Sequence, residues 1–358
     1  MAETLRCGII GFDYGHQGAF AGSLAEHPGA QIVGVADLPG DGEDAHQRAR
    51  DFAESTGAAY FDDFERLLDT EAPEAVSLCA PPARNPEIVA ELAARGIHVM
   101  SEKPVAEDLA GARRIARAVH LSGIFFTFGF HAARFATPVA RAISAVRSGR
   151  IGEVRVMNAT FLQPRGPRYT ISVQEAERRR AAGEPSVGEL ANFGGYVFLA
   201  FTAYTGVRAT SVYCESDAFF YESYRIAGIE DLALVSLQYE GGAVASAAIG
   251  RTTTMSMSTT DVRHEIIGSA GVLHVNAMSD RAFVYGPWRD GDEFERGGFD
   301  TPAFGRPSYE LYVDDFVRAI GDGRDPELTV EDAVHFHATL EAAYESAGTH
   351  RTVIVPGS

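Results

Sequence analysis

Short apolar runs alternate with stretches of helical period through the first third of the chain. The runs 6–10, 31–36, 75–79, 98–100 and 124–128 have strand length, and 87–95 and 109–120 carry the spacing of amphipathic helices between them. Strands that alternate with helices in this way predict βαβ units and a parallel, doubly wound sheet. Beyond Gly129 the period changes. Thr137-Pro138 reads as an N-cap followed by proline at the first helical position, opening a helix over 137–148. Strand patterns then dominate at 154–161, 209–215, 232–239, 243–249, 262–267, 272–275 and 282–285, with Glu240-Gly241-Gly242 as a hairpin link. Helices over 309–321 and 331–346 follow, the second announced by Thr329 and Asp332 as a capping box. Its Phe336, Leu340, Ala343 and Ala347 fall at helical spacing and are expected in the core. The reading is an α/β protein: a doubly wound parallel domain over residues 1–129, and an α/β domain with a large, open, mostly antiparallel sheet over 130–358.

A chain of 358 residues exceeds the usual size of one core, which agrees with two domains. The formal net charge of -18 argues against a nucleic-acid partner or an anionic membrane surface. Cys7, Cys79 and Cys214 are widely spaced and read as buried thiols in a reducing compartment. No apolar stretch approaches the ~20 residues of a membrane helix, and the start of the chain leaves no room for a signal peptide, so a cytoplasmic location is expected. His335 and His337, two apart on a helix, do not share a face, and no metal is expected.

Only one lysine occurs among the 31 basic residues, Lys103 in Ser101-Glu102-Lys103-Pro104. Arginine holds its proton and is broad and planar. Lysine is a compact charge whose pKa moves on burial, so a site that needs that chemistry resists replacement by arginine. Lys103 is therefore a candidate working residue.

The segment Gly8-Ile9-Ile10-Gly11-Phe12-Asp13-Tyr14-Gly15-His16 lies between the first strand and a helix, where a dinucleotide fold places its phosphate-binding turn. The glycine fingerprint is incomplete, with Asp13 and His16 at the second and third glycine positions. Two readings stand: a reshaped turn in which Gly15 makes the close approach and Asp13 caps the helix, or a degraded dinucleotide site. Asp37 ends the second strand, where a carboxylate holds the adenine ribose and favours NAD over NADP. The other reading is an Asp that begins the turn to Pro39-Gly40.

Several motifs together resemble the Gfo/Idh/MocA oxidoreductases: the Rossmann-type start, Ala80-Pro81-Pro82, Gly96-Ile97-His98-Val99 leading to Glu102-Lys103-Pro104, Ile151-Gly152-Glu153-Val154, Glu265 to Gly271, and Asp315 to Ile320. The resemblance implies an N-terminal NAD(P)-binding domain, action on sugars, inositols or related polyols, and a homodimer or homotetramer built through the open sheet. It places Lys103 beside the nicotinamide and the reacting carbon. Cofactor contacts are expected from Gly11, Phe12, Asp13, Gly15, His16, Asp37, Ala80, Pro81, Asn85, Glu102, Lys103 and His131. The family's D-x-G-x-H-x-x-D signature aligns with residues 192–199, where Asn192 replaces the first acid, Tyr196 the histidine and Leu199 the last acid. A tyrosine at the histidine position is similar to members like glucose-fructose oxidoreductase.

Asn192 and Tyr196 are four apart and share a helix face. A phenol lowered by a nearby ammonium could act as a base, which makes Lys103, Tyr196 and Asn192 the catalytic candidates; a buried aromatic is the other reading of Tyr196. His131 is expected to touch substrate or the nicotinamide amide, or to be structural. Arg168, with Arg165 and Arg178 to Arg180, could dock an acidic sugar or line a solvated helix. Besides net oxidation of a carbohydrate or polyol, two alternatives share these features: a redox-neutral, NAD-retaining lyase or glycosidase, and a catalytically silent ligand sensor.

Overall fold

The first strands carry apolar side chains on both faces, and that pattern buries them in a sheet covered on two sides. The computed structural model describes residues 4–357 except 13–14, 164–170, 185, 254–260, 277–280, 286–295 and 301–305. The expected site residues Asp13 and Arg168 lie outside the described residues.

The N-terminal elements are β1 (Leu5–Ile10), α1 (Gln17–Glu26), β2 (Ala30–Ala36), α2 (Glu43–Thr56), β3 (Ala59–Phe61), α3 (Phe64–Glu71), β4 (Ala75–Leu78), α4 (Asn85–Ala94), β5 (His98–Ser101), α5 (Leu109–Ser122) and β6 (Phe126–Phe128). The six strands form a parallel sheet in the order β3-β2-β1-β4-β5-β6. Strand order reverses between β1 and β4, so the carboxyl ends of these strands flank the crevice where such sheets take ligands. The three-residue β3 is too short to show a period of its own.

The second set comprises α6 (Ala132–Phe135), α7 (Thr137–Arg147), β7 (Val154–Gln163), α8 (Val173–Ala182), α9 (Glu189–Thr205), β8 (Ala209–Asp217), α10 (Glu222–Ala227), β9 (Leu232–Tyr239), β10 (Val244–Arg251), β11 (Asp261–Gly268), β12 (Val272–Asn276), β13 (Arg281–Tyr285) and β14 (Arg296–Asp300), and then α11 (Ser308–Asp322), α12 (Val330–Thr349) and β15 (Val353–Ile354). Nine strands pair in the order β14-β13-β12-β11-β7-β10-β9-β8-β15. Only the β7–β10 pair is parallel among them. Along β9, Ala233, Val235 and Leu237 are buried while Leu234, Ser236 and Gln238 are exposed, the alternation of a sheet covered on one face. The cover is α9, which packs on β7, β9 and β10.

The chain divides into two units, Met1–His131 with Arg306–His337, and Ala132–Gly305 with Ala338–Ser358. The first crossing lies within two residues of the boundary expected at 129/130. The return of 306–337 to the first unit is the difference, and its cause is packing. Tyr312, Val313, Phe316 and Ala319 make a buried stripe on α11, which lies against α1, and His27 Nε2 stands 3.2 Å from Asp314 Oδ1.

Local signals held in part. The Thr329 N–H donates to Asp332 Oδ2 (3.2 Å) and the Asp332 N–H to Thr329 Oγ1 (3.3 Å), closing the capping box. Thr137, however, is the first helical residue rather than the cap; Ala136 takes that place without a side-chain bond.

Candidate functional site

In the first unit the site begins at the end of β1. Gly11 adopts φ +77° and its N–H donates to Ala36 O, turning the chain away from the sheet. Gly15, at φ +78°, passes so close to Glu102 that a Cβ there would stand 2.2 Å from Oε1. That glycine admits the contact which holds the turn: the His16 N–H donates to Glu102 Oε1 (3.0 Å), and His16 Nδ1 lies 2.8 Å from the same oxygen. Phe12 is buried against Phe52, and its carbonyl accepts from Arg48 Nε (3.1 Å) and Nη2 (2.8 Å). A cavity of about 660 Å³ is lined by Phe12, Gly15, Gln17, Gly18, Arg48 and Phe52, among others.

Asp37, next after β2, is buried. Its Oδ2 accepts from the Tyr60 hydroxyl and lies 2.6 Å from His46 Nδ1, whereas Oδ1 is buried without a partner among the described residues. A buried carboxylate oxygen left unsatisfied costs stability unless a ligand donor meets it. Sited at the carboxyl end of β2, that vacant acceptor fits the hydroxyl of an adenine ribose. Together with the positive-φ turn at the start of α1, it makes the residues present suited to a dinucleotide.

After β5 come Glu102 and Lys103, with a cis Lys103–Pro104 bond. Glu102 Oε2 is a second buried oxygen without a partner among the described residues, and Gly129 leaves it room: a Cβ at Gly129 would stand 2.4 Å away. The Lys103 side chain is largely buried, its ammonium 5.7 Å from the centroid of the Phe130 ring. His131 Nδ1 lies 2.9 Å from Ser308 Oγ, and its ring meets that of His16 edge-on at 5.0 Å. Burial, then the neighbouring His16 and Lys103 charges, push the His131 pKa down to about 3, so the imidazole is neutral at neutral pH. Glu102, Lys103, His16 and His131 thus form one polar cluster at the strand ends.

Ala80 is buried, and the Pro81 carbonyl accepts from the N–H groups of Arg84 and Asn85, turning the chain into α4. Asn85, an expected cofactor contact, has its amide engaged within the protein. It is fully buried, its Nδ2 donating to Ser101 Oγ (3.1 Å) and to the Val105 carbonyl (2.7 Å), so its amide braces the chain on either side of Lys103.

In the second unit α9 carries Asn192 and Tyr196. Asn192 Nδ2 donates to Glu189 Oε2 (3.1 Å), one turn back on the helix. Glu189 is itself buried: its Oε1 accepts from Arg251 Nε (2.5 Å) and from the Tyr224 hydroxyl. The Arg251 guanidinium lies 5.0 Å from the Phe193 centroid. Tyr196 is buried and stacks on Phe161 at 5.2 Å and 8°. Leu199 is core. Arg178, of the expected basic island, is exposed and pairs with Glu175 and Glu184, which is a solvated helix face.

The family's NAD-binding Rossmann-fold domain matches residues 5–130, and its C-terminal domain matches residues 139–274. The chain belongs to the Gfo/Idh/MocA oxidoreductase family. Among curated Gfo/Idh/MocA-like relatives, the uncharacterized oxidoreductase YrbE of Bacillus subtilis is 24% identical over 355 residues, 97% of this chain and 95% of that protein. Myo-inositol 2-dehydrogenase of Thermotoga maritima is 24% identical over 339 residues, 92% of each chain. Among solved structures, levoglucosan dehydrogenase in complex with NADH superposes with a TM-score of 0.83 at 20% identity, covering 99% of this chain and 100% of that one. As in the rest of the family, the first unit is an NAD-binding Rossmann fold.

Within that frame the structure brings Gly15, His16, Glu102, Lys103 and His131 together, and sets Asp37 at the neighbouring strand end. Sequence reasoning missed His46 and Tyr60 at Asp37, Arg48 at Phe12, and the buried Glu189–Arg251 pair. Glu189 carried a signal, since it stands three residues before Asn192 and so one helical turn away. Tyr60 gave none, because β3 is too short to be recognised. Among the described residues no helix is long and apolar enough to cross a membrane, and no cluster of ligating side chains could hold a metal ion.

Proposed function

We propose that the protein is an NAD-dependent dehydrogenase that oxidises a hydroxyl of a sugar, inositol or related polyol. The observation that carries this reading is the buried Lys103 ammonium, adjacent in sequence to the carboxylate that holds the dinucleotide turn. NAD, when bound, supplies the hydride acceptor. Gly11, Gly15 and His16 would hold its pyrophosphate and Asp37 its ribose, in preference to NADP. Lys103 polarises the substrate oxygen and stabilises the alkoxide that forms as the hydroxyl proton leaves. Tyr196, starting as the phenolate, takes that proton and becomes the neutral phenol, and Asn192, its amide oriented by Glu189, positions the sugar. His131, neutral, offers a hydrogen bond rather than a charge. The substrate class is that of the inositol and levoglucosan dehydrogenases which the chain resembles.

The exposed face of the nine-stranded sheet supports a homo-oligomer. Tyr213, Leu234, Val244 and Ile354 lie exposed on β8, β9, β10 and β15, apolar surface of the kind a second copy covers.

A catalytically silent sensor is the second reading. It draws on Leu199, which packs in the core where the family signature carries an acid. Calorimetry with NAD followed by a polyol panel read as NADH formation separates the two. NAD binding with turnover supports the dehydrogenase. NAD binding without turnover supports the sensor, and absence of binding defeats the dehydrogenase reading.

A further inference from the structure

Asp37 is held in an unusual setting for a ribose-binding carboxylate. The two residues that reach its Oδ2 come from different elements, Tyr60 from β3 and His46 from α2. Arg50, four residues after His46 and so on the same face of α2, stands over the Tyr60 ring at 5.4 Å from its centroid. Burial, and then the hydrogen bond to Asp37, raise the Tyr60 phenol above its ordinary pKa, so it remains a donor at any working pH. One carboxylate oxygen therefore accepts the Tyr60 hydroxyl and stands 2.6 Å from His46 Nδ1, which makes no hydrogen bond among the described residues, and the other, buried and unpartnered, is left for a ligand.

We propose that Tyr60 and His46 are specificity-positioning residues, locking the Asp37 carboxylate so that Oδ1 accepts from the ribose hydroxyl of NAD and rejects the 2′-phosphate of NADP. This rests on the reading that the first unit binds a nicotinamide dinucleotide. The physical argument concerns rotamer freedom. A 2′-phosphate brings acceptors and negative charge but no hydroxyl donor, so it repels a carboxylate that cannot turn aside. Released from Tyr60, Asp37 can rotate away, and a phosphate would then face the Arg50 guanidinium, which welcomes it. The discrimination thus belongs to the clamp as much as to the carboxylate.

The test is direct binding of NAD and of NADP by calorimetry to wild type, Tyr60→Phe, His46→Gln and Asp37→Asn, each checked for folding by thermal melting. Wild type should prefer NAD. Tyr60→Phe should reduce that preference about tenfold, the scale of a lost hydrogen bond to a charged group, with His46→Gln moving in the same direction. In the Asp37→Asn background, Tyr60→Phe should bring no further change, since clamp and carboxylate act as one unit. A preference unchanged in both clamp variants, or two affinities that weaken equally, overturns the inference, because a merely structural role moves both ligands together. If Tyr60→Phe does not fold, His46→Gln alone decides between these outcomes. A wild type that prefers NADP overturns the inference and leaves the dehydrogenase reading standing; a wild type that binds neither nucleotide overturns that reading itself.

Discussion

The polar cluster at the strand ends of the first unit and the polar cluster of α9 in the second are both buried, yet their hydrogen-bond accounts close differently. In the first, Asp37 Oδ1 and Glu102 Oε2 are buried acceptors without partners among the described residues. In the second, both oxygens of Glu189 are engaged, one by Arg251 and Tyr224 and the other by Asn192. Native interiors seldom leave such groups unpaired, so the first arrangement is one that a ligand donor would complete on the proposed reading, and the second closes on its own groups. The difference teaches where to place the cost of a substitution: at Asp37 and Glu102 on binding and turnover, at Glu189 and Arg251 on the stability of the fold.

The sharpest break of that comparison is at Lys103. Lys103→Met should lower kcat by roughly a hundredfold to ten-thousandfold, the range for a positioned group acting on the reacting oxygen, while NAD affinity measured by calorimetry changes little. Lys103→Arg should not restore turnover, because a planar guanidinium is too broad for the buried position of the compact ammonium. Near wild-type kcat in either variant would remove Lys103 from the chemistry.

Glu189→Ala comes next. It leaves the Arg251 guanidinium buried without its counter-charge, and breaking such a pair costs about 3–5 kcal/mol, read as a lower urea midpoint. Asp37→Asn should, by contrast, leave the unliganded protein about as stable as before while weakening NAD binding. Equal losses of stability from the two substitutions would erase the distinction between site and brace.

Tyr196→Phe has a smaller expected effect and tests whether the second cluster has a chemical role at all. Loss of a proton acceptor should lower kcat about a hundredfold, with the ring stack on Phe161 preserved. A variant that keeps most of its kcat would make Tyr196 a packing residue, and α9 a brace throughout.

The fold was legible wherever the period was long enough to be read. Strand and helix spacing located both sheets, and Thr329 with Asp332 located the start of α12, because caps and amphipathic faces are local matters. β3 escaped because three residues define no period, and β14 because Arg296 to Asp300 lacks an apolar alternation. The association of 306–337 with the first unit was not legible either, since the stripe on α11 says that a partner exists but not which helix it is. At the site, Lys103 drew attention because a unique residue type needs a reason, and the fold buries it beside Glu102. His46, Tyr60 and Arg251 were not. Each acquires its role from a contact between different elements, and no spacing rule reaches from Tyr60 across 23 residues to Asp37 or from Arg251 across 62 to Glu189.

Two histidines allow the finest comparison of the two units. His131 in the first has a pKa lowered to about 3, by burial first and then by the His16 and Lys103 charges; His264 in the second is lowered to about 4 by burial alone. Both lie below the ordinary value of 6.5, so below that pH the unfolded chain takes up protons that the native fold refuses. Each histidine therefore withdraws stability as pH falls from about 6.5 toward its native pKa, at roughly 1.4 kcal/mol per pH unit. Lys103→Met removes one of the charges that oppose protonation of His131 and leaves its burial intact. In an NMR titration the His131 ring should then titrate at higher pH than in wild type, with the acid limb of its stability contribution correspondingly shortened, while His264, bonded to Tyr204 in the other unit, should not move. A His131 that titrates unchanged would mean that the Lys103 ammonium is screened from it, and the cluster at the strand ends would lose the electrostatic coupling that sets it apart from α9.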